Sequence, residues 1–294
     1  MYSVYSSISL FHLFLYGFEK AFDTGKIVTK QILVFVMLLN YQLHNEHLLQ
    51  SRPAVVLIHG LFGSLENLNV IAKALAEHFV VINLDLRNHG LSAHSPLHSY
   101  PAMAQDVLDT LAHLAINKAH FVGHSMGGKV AMQIAHIAPN IVEKLVILDI
   151  APVSYHSRHE AIFNGLFAVA NEKIVTRKQA DEILARFINE VGVRQFLLKS
   201  LVKNDEGVLN WRFNIHTIHQ EYGKILSNID ANDSCLCETL FIKGSMSDYI
   251  LIEHKEVIAK LFSNAKGKVI HGVGHWLHAE KPVAVNKAII DFLQ

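Results

Sequence analysis

The sequence predicts an α/β fold: a mostly parallel, twisted sheet with helices on both faces, interrupted once by a helical insertion. Three observations carry this. Short continuous apolar runs rich in β-branched residues recur at 54–58, 79–84, 119–122 and 144–150, the pattern of strands buried on both faces. Segments with helical spacing lie between them, such as Leu68, Ile71, Ala72 and Leu75, or Met103, Val107, Leu111 and Leu114. Such alternation builds a parallel sheet with helical crossovers. The rhythm then stops from about 152 to 232, where helical patterns (Ile162, Phe163, Leu166; Ile183, Leu184, Phe187, Ile188) continue without a convincing strand, and it resumes afterwards.

Composition narrows the function. With 51% hydrophobic and 18% charged residues the chain can bury a large core, which excludes a disordered protein. Its formal net charge is zero, so no summed field favours nucleic acid or an anionic membrane surface. The two cysteines, Cys235 and Cys237, stand one residue apart, which suits neither a disulfide framework nor a four-ligand zinc site and points to a reducing, cytoplasmic setting.

Taken from the N-terminus, residues 1–36 differ from the rest. They hold eight aromatic side chains without regular alternation. The first uncharged run is broken by serines, His12 and Gly17, and the next is about a dozen residues, short of the ~20 of a spanning helix. No Lys or Arg precedes the apolar stretch and no small-x-small site follows it, so a secretory signal fits poorly. A weakly membrane-associating extension, a targeting segment and upstream sequence unused by the mature protein are the readings available. The last is favoured, because residues 37–43 read as an ordinary first strand beginning at a methionine. The expected division is 1–36 as an extension, 37–151 and 233–294 as the core, and 152–232 as a helical cap.

The strand at 54–58 enters His59-Gly60-Leu61-Phe62-Gly63-Ser64, a βα turn whose Leu61 amide can meet a developing oxyanion. The strand at 79–84 leads into a polar loop, and a helix follows. The strand at 119–122 then enters Gly123-His-Ser-Met-Gly127, which fits G-x-S-x-G, directly before a helix stopped by Pro139-Asn140. In that strand-turn-helix setting glycines flank a sharp turn and Ser125 projects as a nucleophile, with the Met126 amide as second oxyanion donor. The same stretch also satisfies G-x-x-x-x-G-K, a phosphate-cradling loop, but Val130 offers no hydroxyl to Mg²⁺. A serine hydroxyl needs a base. His275 follows the last strand, at 268–270, in a loop freed by Gly272 and Gly274, with His271 and His278 as rivals. The acid that orients such a histidine should lie between Ser and His in chain order. Asp149 ends a strand and Asp248 lies in the loop after the following one, and spacing alone does not choose.

Taken together, His59–Ser64, Asp85-Leu-Arg-Asn-His-Gly-Leu-Ser92, Gly123–Gly128, Leu148-Asp-Ile-Ala-Pro152 and Gly274-His-Trp276 resemble the α/β-hydrolase superfamily, and within it the small bacterial esterases of the YbfF type. The resemblance runs from about Met37 to Gln294 and includes Trp211-Arg-Phe-Asn214. It implies hydrolysis of carboxylic esters and acyl-CoA thioesters through Ser125, Asp149 and His275, with Leu61 and Met126 as oxyanion donors and no metal or cofactor. Most of the superfamily carries the acid in a Gly-x-x-Asp loop; here Gly244 is followed three positions later by Ser247, and Asp248 is out of register by one. The YbfF pattern instead matches Asp149. Asp85 and Arg87 belong to the loop pattern as turn formers. Arg158 and Arg212, in the insertion, are candidates to meet a phosphate-bearing leaving group. Hydrolysis of a lactone or C–C bond, or ligand binding without catalysis, are the other activities compatible with the resemblance. The partner is a small acyl substrate, without nucleic acid and without stable membrane insertion.

Overall fold

A computed structural model describes residues 11–23, 26–49, 51–231 and 233–294, with the backbone alone up to residue 35. Strands β1 (Phe11–Asp23) and β2 (Lys26–Met37) pair antiparallel with each other and, among the described residues, with no other strand. What was expected of residues 1–10, 24 and 25 lies outside the described residues.

The main sheet has seven strands. In chain order these are β3 (Tyr41–His44), β4 (Ala54–Ile58), β5 (Val80–Leu84), β6 (Ala119–His124), β7 (Val142–Leu148), then β10 (Glu238–Gly244) and β11 (Ala265–Ile270) after the insertion. Their spatial order is β11-β10-β7-β6-β4-β5-β3, all parallel except β3. The continuous apolar runs are explained by burial on both sides: Val55 and Leu57 join the core of one face, Val56 and Ile58 that of the other. Helices α1 (Asn69–Leu75), α10 (Leu277–Glu280) and α11 (Pro282–Leu293) cover the first face, and α2 (Tyr100–His113), α3 (Met126–Ile137) and α9 (Lys255–Leu261) add to the second. No helix among the described residues is long and apolar enough to cross a membrane.

Two expectations need correction. The strand read at 37–43 begins later, at Tyr41, and Met37 instead closes β2. Side chains account for the break: the Leu39 amide donates to Thr110 Oγ1 at 3.0 Å and the Asn40 amide to Ser92 Oγ at 2.8 Å, so neither joins the ladder. The insertion is also not purely helical. Besides α4 (Glu160–Ala170), α5 (Arg177–Leu184), α6 (Val191–Leu198), α7 (Ile215–Gln220) and α8 (Tyr222–Leu226), it holds a hairpin of β8 (Leu201–Lys203) and β9 (Leu209–Trp211). Asn204 closes that hairpin, its backbone amide donating to Val208 O.

The insertion is packed onto the core. Phe163, Leu166, Leu184, Leu197 and Phe213 belong to the same apolar cluster as Val56, Ile58 and Val130. Its two ends are tied by one buried cation: Lys129 Nζ of α3 donates to Val153 O and to Ser227 O, each at 2.7 Å, between the rings of Tyr100 and Tyr155. Burial lowers the Lys129 ammonium from 10.5 to about 7. Between those two values the folded chain binds fewer protons here than the unfolded chain, so this site adds stability as pH rises from about 7 to about 10.5. We expect Tm measured by calorimetry to climb more over that window in the wild type than in Lys129→Met; equal slopes would remove Lys129 as the cause.

Candidate active site

The residues singled out in the sequence lie on loops at the carboxyl-terminal edge of the parallel strands, where sites in such sheets gather. Ser125 joins β6 to α3 at φ 53° and ψ −120°, a conformation rare for a non-glycine residue. Its neighbours explain why the turn is possible. A Cβ on Gly123 would come within 2.3 Å of Gly127 O, and one on Gly127 within 2.2 Å of Ile58 O, so only hydrogen fits at either place. The strained backbone is held by the Ser125 amide donating to Leu148 O at 3.0 Å and the Gly128 amide donating to Ser125 O at 2.8 Å.

Three side chains from distant parts of the chain then form one hydrogen-bonded line. The Ser125 hydroxyl donates to His275 Nε2 at 2.9 Å, and His275 Nδ1–H donates to Asp149 Oδ2 at 2.8 Å. Asp149 is fully buried at the end of β7, itself at positive φ. Its other oxygen accepts the Gly244 amide at 3.0 Å, and the Ser247 hydroxyl donates to Oδ2. This fixes the carboxylate and, through it, the tautomer that leaves Nε2 free to accept a proton. Asp248, the rival acid, points away: its side chain is 71% exposed and pairs with Arg158 at 3.0 Å. The rival histidines are elsewhere too. His271 is exposed, and His278 is buried against His124 at a ring distance of 4.4 Å, with burial, then the neighbouring His275, lowering it to about 4.

Ser247 occupies the position where a Gly-x-x-Asp loop would carry the acid, three residues beyond Gly244. There it is a donor to Asp149 rather than an acid. Tyr249, two residues on, stacks on the His275 ring with centroids 3.8 Å apart and planes at 15°. Neither contact was read from the sequence. The loop after β10 is brought to Asp149 only by the β7–β10 pairing, which no local pattern announces.

Buried histidines hold the loop that follows β4. His59 Nδ1–H donates to Gly60 O at 2.8 Å while Nε2 accepts the Leu86 amide at 3.0 Å. His89 Nδ1–H donates to Arg87 O at 3.0 Å and Nε2 accepts the Phe62 amide at 3.1 Å, Phe62 itself lying at φ 61°. Both rings act as acceptors only when neutral. Burial, followed by the neighbouring His59 and His98, lowers His89 well below its ordinary value. The Phe62 amide is thereby turned into the protein, while Gly60 packs against Ser125: a Cβ on Gly60 would stand 3.3 Å from Ser125 Cβ. The Leu61 amide next to it has no acceptor in the loop, and the Met126 amide opens the first turn of α3, where helix N–H groups lack partners. Replacing His89 by Phe should lower kcat on a p-nitrophenyl ester by up to about 100-fold, within the ~10²–10³-fold cost of deleting an oxyanion donor outright. An unchanged kcat in a variant with a wild-type circular-dichroism spectrum would separate His89 from the loop's function.

Asp85 and Arg87 do form turns. Asp85 accepts the amides of Leu65 and Leu91 and the Asn40 side chain, and Arg87 is bidentate to Asp106. Arg212 pairs with Glu66 at 3.1 Å. Of the two candidate arginines, Arg158 lines the cavity above Ser125 and Arg212 does not.

That cavity measures about 420 Å³ and lies between core and insertion, with Phe62, Ile162, Val193, Phe196, Leu197 and Trp276 as apolar walls. Its size is that of ordinary small-molecule pockets. Ser125 and His275 lie in its wall, and Arg158 stacks over Tyr249, 4.4 Å from the ring centre.

A family profile described as alpha/beta hydrolase fold matches residues 53–175. Esterase YbfF of Escherichia coli is 45% identical over 85% of this chain and 95% of its own length. The chain belongs to the YbfF-like α/β-hydrolases. A putative esterase/lipase of Haemophilus influenzae is 42% identical over 99% of both chains, an overlap that extends into residues 1–36, beyond the stretch where the motifs lie. Among solved structures, a marine microorganism esterase superposes with a TM-score of 0.83 at 34% identity, covering 87% of this chain and 99% of that one. As a YbfF-like α/β-hydrolase the chain is similar to proteins named as esterases or lipases.

Proposed function

We propose that this α/β-hydrolase cleaves carboxylic esters, and acyl-CoA thioesters as well, through an acyl-enzyme on Ser125. The unbroken line from Ser125 through His275 to the buried Asp149 carries the reading. His275 takes the Ser125 proton as the hydroxyl attacks the carbonyl, and the amides of Leu61 and Met126 receive the oxyanion. His275 then passes the proton to the departing alcohol or thiol. Water, activated by the same imidazole, releases the acid and restores Ser125. Tyr249 keeps the imidazole plane fixed across both steps, and Asp149 stabilises the imidazolium formed in each.

The apolar walls suit an acyl chain, and Arg158, at the cavity beside His275, suits a leaving group bearing phosphate. In this reading residues 152–232 roof the acyl pocket of a core made of 37–151 and 233–294, and 1–36 are not needed for the fold. The free thiols fit a cytoplasmic setting.

Rapid mixing with a p-nitrophenyl ester should give a burst of about one equivalent of p-nitrophenol, and acid-quenched protein should carry the acyl group on the peptide containing Ser125. Absence of both would overturn the covalent route. On a panel of acyl lengths presented as neutral esters and as CoA thioesters, Arg158→Leu should raise KM about tenfold for the thioesters, a loss of about 1.4 kcal/mol, and leave neutral esters nearly unchanged. Equal effects on both would remove Arg158 from leaving-group recognition.

A further inference from the structure

Cys235 and Cys237 lie just before β10, at the end of the sheet opposite Ser125. The chain is fixed on either side of them. The Cys235 amide donates to Leu261 O at 2.8 Å in an isolated parallel bridge to Phe262, and the Thr239 hydroxyl donates back to Cys237 O at 3.1 Å. Residues two apart on an extended chain share a face, and here the two sulfurs are 3.1 Å apart, as thiols. No third metal-ligating side chain joins them among the described residues. Leu236 between them is 73% exposed, while Cys235 is buried in the apolar cluster and Cys237 packs partly against it.

We propose that Cys235 and Cys237 are a redox-active dithiol that closes to an intrachain disulfide on reaction with a low-molecular-weight disulfide such as oxidised glutathione. One thiolate of the pair attacks a sulfur of the small disulfide and expels one thiol. The second cysteine gives up its proton and displaces the other, forming the S–S bond. Two protein thiols are oxidised, and one small disulfide is reduced to two thiols. Cys237 is partly buried and less enclosed than Cys235, so the reagent enters from its side. The hydrogen bond shared by the two sulfurs lowers the Cys235 thiol and raises that of Cys237, so one thiolate of the pair forms more readily than in an isolated cysteine. A ring closed over a single residue departs from relaxed disulfide geometry, which makes the bond easily reduced rather than structural. The pair's chemistry is independent of the hydrolase reading, since it is remote from Ser125.

The test equilibrates the reduced full-length protein with a series of reduced and oxidised glutathione mixtures, followed by Ellman titration and intact-mass measurement. Expected is a fall from two titratable thiols to none at the oxidising end. The protein should lose the mass of two hydrogens, keep no glutathionyl group, and recover fully with dithiothreitol. Cys237→Ser should never show the two-hydrogen loss. A stable glutathionyl adduct on the wild type, a disulfide-linked dimer, two thiols persisting at the oxidising end, or the two-hydrogen loss in Cys237→Ser would each overturn the proposal.

Discussion

Ser125→Ala is expected to lower kcat on a p-nitrophenyl ester by roughly 10⁶-fold, the scale on which losing the nucleophile of such a unit falls. Alanine keeps a Cβ of the same size at the same backbone position, and the turn is held by main-chain bonds from Ser125 to Leu148 and from Gly128 to Ser125. The variant should therefore melt within a few degrees of the wild type and still bind substrate in the cavity. Loss of activity with retained binding, measured as quenching of Trp276 by a slowly hydrolysed ester, separates chemistry from collapse of the site. Activity within tenfold of wild type would remove Ser125 from the mechanism.

Asp149→Asn should lower kcat by about 10⁴-fold, the loss seen when the amide forces the histidine into the wrong tautomer. An amide NH₂ at that place faces His275 Nδ1 with a donor, so Nε2 carries the proton and no longer accepts from Ser125. Asp248→Asn removes only a partner of Arg158, and exposed pairs of that kind are worth ~0–1 kcal/mol. Its kcat should stay within about threefold of wild type. Comparable losses in the two variants, measured as kcat under saturating substrate, would mean that the acid role is not held by Asp149.

The Ser125 turn was legible because its requirement is local: glycines at 123 and 127, a strand before and a helix after. Those glycines are where any larger residue would strike backbone. The acid was not legible from spacing, because Asp149 and Asp248 both follow parallel strands and only tertiary placement buries one and exposes the other. Ser247 and Tyr249 were missed for the same reason, since their partners lie 98 and 26 residues away in sequence and meet across the sheet edge. The start of β3 was misplaced because Thr110 and Ser92 capture the amides of Leu39 and Asn40, a competition between side chain and ladder that hydrophobicity does not register. The β8–β9 hairpin was invisible because three-residue strands are too short to set a period.

The roof over Ser125 shares its apolar interior with the sheet, and this couples two properties that a detachable lid would keep apart. Leu197 is both a wall of the cavity above Ser125 and a fully buried member of the central cluster, as is Phe62 with 3% exposure. Enlarging the pocket for a bulkier acyl chain by truncating either side chain also removes core volume, at a cost of ~2–5 kcal/mol. Changes in substrate range through these walls therefore require compensation elsewhere in the fold, whereas Ile162 and Trp276, only partly buried, leave room to alter the pocket at smaller loss of stability.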